Sequence, residues 1–226
     1  MFNVELSDIE LHKLNNLKGT TKQGYYCEVI IKHITEQIQD VYQVSYITTP
    51  TANITLGDIT YKRYGEQHYI EAKKGRVWNN THKACIDGKY TYKNSNGTKR
   101  YKQKTGCTKE WLYNNTYDRI AFVFDDTVYL IGNAQLFLDT VRNTIRVATQ
   151  QYNSLGDFNK QWYTERHNFY IGTGLTGGIT NSNNTYETYT VFVDIEKFCN
   201  VHNIGLQVID YEVTNVSAFD HYNIMA

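Results

Sequence analysis

A change of period near residue 40 narrows the possible folds more than any other feature of the chain. Cys27, Ile30, Ile31, Ile34 and Ile38 recur at the spacing of one helix face. The residues after them alternate instead. Val41 to Thr48 is rich in β-branched and aromatic residues and reads as a strand, which Pro50 breaks. Ile54 to Tyr64 reads as a second strand, Gly65 as a turn, and Gln67 to Lys73 as a third strand. A helix from about Thr20 to Asp40 followed by three strands excludes an all-α or all-β domain and predicts a mixed α/β one.

Around this stretch, Ile9, Leu11, Leu14 and Leu17 predict a short amphipathic helix ended by Gly19. Residues 79 to 116 are polar and basic and read as a long loop with a helix toward Thr108–Asn115. Arg119 to Phe124 and Thr127 to Ile131 form a hairpin around the turn Asp125-Asp126, and Asn133 to Asn143 is helical. From Arg146 to Tyr189, clustered glycines and asparagines predict loops and irregular hairpins. Thr188 to Asp194 is a strand, Ile195 to Val201 a helix, and Gly205 to Val213 a last strand. The length, 226 residues, suits a single domain over 1–226, with a core of about 20–143 and an extension of about 144–226.

Charge is uneven beneath a neutral total. Between Lys83 and Lys109 lie eight cations against Asp87 alone, interleaved with Tyr90, Tyr92 and Tyr101. Such a segment is either a phosphate-contacting surface or a solvated loop. The four cysteines form no CxxC pair, which argues against structural zinc and for reduced thiols. The N-terminal residues lack the basic and apolar regions of a signal peptide, and no run reaches the length of a membrane span, so the expected location is cytoplasmic.

The chemistry concentrates on the third strand, Tyr69-Ile70-Glu71-Ala72-Lys73. Alternation puts Ile70 and Ala72 on the core face and Glu71 with Lys73 on the other. Asp58, on the preceding strand, falls beside Glu71. Two adjacent carboxylates repel, and a hard divalent cation offsets that cost best. A lysine beside them supplies a fixed charge and a donor to a water or a phosphate oxygen. Phosphodiester hydrolysis needs these parts. The competing reading is an exposed sheet edge with Glu71 and Lys73 as a surface pair.

Gly57-Asp58 and Glu71-Ala72-Lys73 resemble the PD-(D/E)XK nuclease superfamily, the fold of most type II restriction endonucleases. That core runs helix, three strands, helix, strand, with the first acid on the second strand and the (D/E)xK on the third. Gly57 stands where the family name has proline, a position at which members vary. A glutamate on the first core helix is frequent, and Glu28 matches it in position. The resemblance spans about Thr20 to Asn143.

It implies an α/β, restriction-endonuclease-like core with a central mixed β-sheet flanked by helices, plus a loop- and hairpin-rich extension. It also implies a Mg²⁺-dependent, sequence-specific DNA endonuclease, in which Mn²⁺ substitutes, acting on double-stranded DNA as a homodimer. Asp58, Glu71 and Lys73 would be catalytic, and Asp58, Glu71 and Glu28 would hold the metal. Lys74, Arg76, Lys99, Arg100, Lys102 and Lys104 are candidate phosphate contacts. Gln150, Gln151, Asn153 and Arg166 are candidate readers of base edges. A homing, phage or junction-resolving nuclease on the same fold is the nearest alternative. A non-catalytic nucleic-acid-binding protein is the alternative of another class.

Overall fold

The computed structural model describes residues 1–48, 56–78, 80–93, 99–102, 116–154, 175–182 and 186–225. These form two compact units. The first comprises Met1–Val77, Asn115–Gln135 and Gly205–Ala226, and the second comprises Trp78–Asn114 and Leu136–Ile204.

The first unit is α/β. Its elements are β1 (Phe2–Val4), α1 (Asp8–Asn16), α2 (Gly19–Glu36), β2 (Val41–Tyr46), β3 (Ile59–Arg63), β4 (Glu66–Lys74), β8 (Arg119–Val123), β9 (Thr127–Ile131), β12 (Leu206–Val213) and α5 (Ala218–Met225). Seven strands join in the order β1-β12-β9-β8-β4-β3-β2. The sheet is mixed: β4 is antiparallel to β3 and parallel to β8, and β1 is parallel to β12. Helix α2 forms where the 3.6-residue stripe predicts it. It buries Tyr26, Cys27, Val29, Ile30, Ile31 and Ile34 in one apolar cluster with Ile59, Tyr61, Ile70, Ala72, Ala121, Val123 and Ile209. Strand β3 pairs with β4 over Glu66–Ile70 and β8 pairs with it over Ile70–Lys74, so each part of β4 has a partner strand and Ile70 has both.

Ser7 starts α1 with a capping box. Its hydroxyl accepts from the Glu10 amide at 3.3 Å, and Glu10 accepts in return from the Ser7 amide at 2.9 Å. Glu10 is 6 % exposed. It also accepts from the Tyr46 hydroxyl at 2.6 Å and lies 3.0 Å from His33 Nε2, so one carboxylate ties α1 to α2 and β2.

The second unit holds β6 (Thr81–Lys93), β7 (Lys99–Lys102), β10 (Leu175–Ser182), β11 (Tyr186–Asp194), α4 (Ile195–Val201) and most of α3 (Ala134–Ser154). Its sheet runs β10-β11-β6-β5, where β5 is Arg76–Trp78, and β7 pairs with β6.

Three expectations are corrected. Residues 79–116 are not a long loop, because β6 and β7 occupy 81–93 and 99–102. Lysine content hid the alternating Tyr90-Thr91-Tyr92, which is the strand signal. Residues 146–189 are not loops throughout. Helix α3 continues to Ser154 because Val-Ala-Thr-Gln-Gln contains no breaker, whereas β10 and β11 form an antiparallel pair with a register shift between Ile179 and Asn181, in keeping with the irregular hairpins expected there. The second of the three early strands begins at Ile59, with Leu56 helical, so Asp58 immediately precedes β3. The helix expected toward Thr108–Asn115 lies outside the described residues. No helix among the described residues is long and apolar enough to cross a membrane.

Candidate active site

Asp58 is held by backbone on both sides. Its amide donates to the Ile70 carbonyl at 2.9 Å, and its carbonyl accepts from the Ile47 amide at 2.8 Å. Its Oδ2 accepts from the Ala72 amide at 2.8 Å. Gly57 makes this approach possible, with φ +94° and its Cα against the Ile70 peptide. The antiparallel register pairs Ile59 with Ile70, and Asp58, one residue before Ile59, bonds to Ile70 and Ala72, the residues on either side of Glu71. Both carboxylates are 6 % exposed.

Lys73 shares the strand face of Glu71, and its ammonium forms an ion pair with the Glu71 carboxylate. Two-fifths of the Lys73 side chain, 41 %, remains exposed. Burial of the head group pulls its pKa down, but Glu71, Asp58 and Glu28 together outweigh this and raise it, so the lysine stays charged. Lys74 has different electrostatic neighbours: Cys27, Arg76 and Asp125.

Glu28 is half-buried on α2 and joins the same field. Burial, then the Asp58 charge and more weakly Glu71, push its pKa up to about 7, against the pull of Lys13 and Lys73. Lys13 lies 3.9 Å over the Tyr25 ring, one helical turn before Glu28. The three carboxylates named from the sequence thus share one electrostatic environment with Lys73.

Sequence reasoning missed Tyr117. It is 3 % exposed, and burial, then Glu71 and Asp58, raise its pKa. The following residue, Asp118, clamps β4: its amide donates to the Tyr69 carbonyl at 3.1 Å and its Oδ2 accepts from the Tyr69 amide at 2.8 Å. No motif marks Tyr117. The only signal was its place just before a strongly apolar strand.

The remaining candidates are dispersed. Arg76 is exposed on β5. Lys99, Arg100 and Lys102 lie on β7, and Gln150, Gln151 and Asn153 lie in the last turns of α3. Lys104 and Arg166 lie outside the described residues.

Among the described residues, no group of three or more His, Cys, Asp or Glu side chains is placed to hold a metal ion. Mg²⁺ does not require one, since it keeps several waters and is commonly held by one or two carboxylates plus a substrate phosphate. A buried all-oxygen pair with a third carboxylate in the same field suits that open kind of site. Compared with known proteins, the chain matches no family model, no curated protein and no solved structure.

Proposed function

We propose that the chain is a Mg²⁺-dependent DNA endonuclease with a PD-(D/E)XK, restriction-endonuclease-like core. The observation that carries this reading is the buried pair of Asp58, hydrogen-bonded to β4 just before β3 begins, and Glu71 on β4, with Lys73 ion-paired to Glu71 on the same strand. A surface pair on an exposed sheet edge would not have buried carboxylates. The order α2, β2, β3, β4 and then β8 follows the helix, three-strand and later-strand order of that core. Residues around 108–115, where the second core helix would fall, lie outside the described residues.

In this reading Asp58 and Glu71 hold the cation, with Glu28 assisting directly or through water. The bound cation would polarise the scissile phosphate and acidify a water. Lys73, kept charged by its neighbours, orients the attacking water and steadies the phosphate oxygens. The cations of β7 and Lys104 grip phosphates, and Gln150, Gln151, Asn153 and Arg166 contact base edges. Double-strand cleavage calls for two such sites, hence a homodimer.

The test is digestion of a long duplex with Mg²⁺, read by sequencing the ends. Discrete ends identify a sequence-specific enzyme, and random ends a non-specific one. Asp58→Ala should abolish cutting while DNA binding persists. Binding without cutting in the wild type would favour the non-catalytic reading. Wild-type cutting by Asp58→Ala would eliminate the proposed site.

A further inference from the structure

The sheet of the first unit has one face under α2 and another that carries the candidate active site. Ile59 and Tyr61 on β3, and Ile70 and Ala72 on β4, belong to the α2 cluster. Alternate residues along a strand share a face, so Gln67 and Tyr69 lie on the same side of β4 as Glu71 and Lys73. Register carries that side across the sheet. Tyr69 pairs with Thr60 and Gln67 with Lys62. On the edge strand β2, Ser45 pairs with Thr60 and Tyr42 with Lys62. Directly opposed residues share a face, so two rows of side chains continue from Glu71 toward the β3–β4 turn. The second row, which holds Lys62, lies four residues from Glu71, about 13 Å along the strand.

Tyr42 and Ser45 share this side only because β2 is bulged. They are three positions apart, which in a regular strand puts two residues on opposite faces. The pairing shifts between them, and Gln43 there has φ +53°. The bulge lets Val41, and then Val44 and Tyr46, pack toward the α2 cluster. It leaves Ser45 and Tyr42 outside, the tyrosine 45 % exposed. Bulges beside working sites commonly re-aim a side chain in this way.

The two rows are open to solvent. Tyr42, Ser45 and Gln67 are exposed, and Thr60, Lys62 and Tyr69 are half-buried. Gln67 and Thr60 bond to each other and to backbone carbonyls. Among the described residues, Lys62, Tyr42, Tyr69 and Ser45 make no side-chain hydrogen bond or ion pair, which leaves one ammonium and three hydroxyls as available donors. An acid, Asp118, borders them. Its carboxylate accepts from the Tyr69 amide at 2.8 Å and lies 3.7 Å from His68. The far flank of the same sheet side differs in charge. Ile209 and Tyr211 belong to the α2 cluster, so Val208, Asp210 and Glu212 of β12 lie on the side of Glu71, all three exposed.

We propose that the backbone of duplex DNA runs over the β2–β3–β4 flank, with Lys62 paired to a phosphate and the hydroxyls of Tyr42, Tyr69 and Ser45 donating to phosphate oxygens on one side of the cleaved bond. Lysine, serine and tyrosine side chains are ordinary phosphate partners, and such contacts fix the position of a duplex without reading its sequence. Charge selects the flank: a polyanion is drawn to the unpaired ammonium of Lys62 and repelled by Asp210 and Glu212. The inference rests on the endonuclease reading for the position of the cleaved bond, and it adds the path of the substrate away from that bond.

The test is binding of the full chain to a labelled random-sequence duplex in EDTA, by fluorescence anisotropy at several salt concentrations. Lys62→Ala should weaken binding and reduce the slope of log affinity against log salt by about one. Tyr42→Phe and Tyr69→Phe remove only a hydroxyl. Each should weaken binding about two- to tenfold and leave the salt slope unchanged. Lys22→Ala, which removes a half-buried cation of α2 on the other side of the sheet, should bind as the wild type does. Thermal unfolding checks each variant, and Lys62→Gln replaces Lys62→Ala if the latter does not fold. EDTA prevents cutting, so a lack of Mg²⁺-dependent cleavage would sink the endonuclease reading without touching this measurement. No duplex binding by the wild type, a Lys62→Ala variant indistinguishable from Lys22→Ala, or wild-type affinity in both phenylalanine variants would each overturn the proposal.

Discussion

A Cβ on residue 57 would stand 2.7 Å from the Ile70 carbonyl oxygen and 2.9 Å from its carbon. Both atoms belong to backbone that β3 and β8 fix on either side, so they cannot give way. Gly57 also has φ +94°, a region that side chains rarely adopt. Gly57→Ala should therefore cost at least about 1–3 kcal/mol of strain, and each kcal/mol lowers Tm by roughly 2–4 °C at this chain length. Asp58 should shift with it, and cleavage should fall further than stability. Differential scanning calorimetry beside a nicking assay checks this. A wild-type Tm for Gly57→Ala would contradict the packing described.

Lys73 and Lys74 should behave differently despite being neighbours. Lys73 pairs with Glu71, whereas Lys74 interacts with Cys27, Arg76 and Asp125. Lys73→Ala should slow cleavage on the order of 100-fold, the usual scale for losing a positioned proton-transfer or charge-stabilising group, and should change duplex affinity little. Lys74→Ala should cost far less rate. Single-turnover cleavage and filter binding of the two variants separate these effects. A Lys73→Ala defect confined to affinity would reduce the residue to a phosphate contact.

Glu28 should make both stability and metal uptake depend on pH. It titrates near 4.5 when unfolded and at about 7 when folded. As pH rises from 4.5 to 7 the unfolded chain releases this proton and the native one retains it. Its contribution to stability therefore falls across that window and levels off above it. Glu28→Gln should remove the decline, so the variant gains on the wild type in urea midpoint between about pH 5 and about pH 8. A divalent cation needs the ionised form, so Mg²⁺ binding to the wild type below pH 7 should release a proton that Glu28→Gln does not. Isothermal calorimetry in buffers of different ionisation heat reads that proton directly.

Glu10 should show the opposite slope. Burial raises its pKa, but hydrogen bonds from Tyr46, His33 and Ser7 outweigh burial and lower it from 4.5 to about 2. Its contribution is present above 4.5 and is lost as pH falls through 2. Glu10→Gln should destabilise the protein at neutral pH by about 1–3 kcal/mol, because buried donors lose their charged acceptor. The difference from wild type should vanish toward pH 2, as chemical denaturation across that range would show.

Legibility in the sequence depended on which physical signal each segment carries. Helix α2 and strands β4, β8 and β9 announce themselves because burial imposes a period on their apolar residues. Asp58 and Glu71 could be paired because Gly65 makes β3 and β4 a hairpin, which leaves little freedom of register. Tyr117 was not visible, since its importance comes from parallel pairing between β4 and β8, strands that lie more than forty positions apart in the chain. Strands β6 and β7 were missed because Lys, Thr and Tyr dominate them and polar composition resembles loop composition, whereas β10 falls in the stretch read as irregular hairpins. Strand β1 and helix α5 were missed because they are short and rely on partners at the other end of the chain.

The interleaving of the two units has a consequence for dissection of the molecule. Strand β12 returns from beyond the second unit to pair with both β9 and β1. It contributes Ile209 and Tyr211 to the same apolar cluster as α2. A chain cut after residue 143 would keep Asp58, Glu71 and Lys73 but would leave β9 as an open edge and β1 without a partner. Neither unit is a contiguous module. Fragments made by shortening the chain from its C-terminal end should aggregate through β9, and a minimal catalytic piece would have to be made by splicing out internal residues instead.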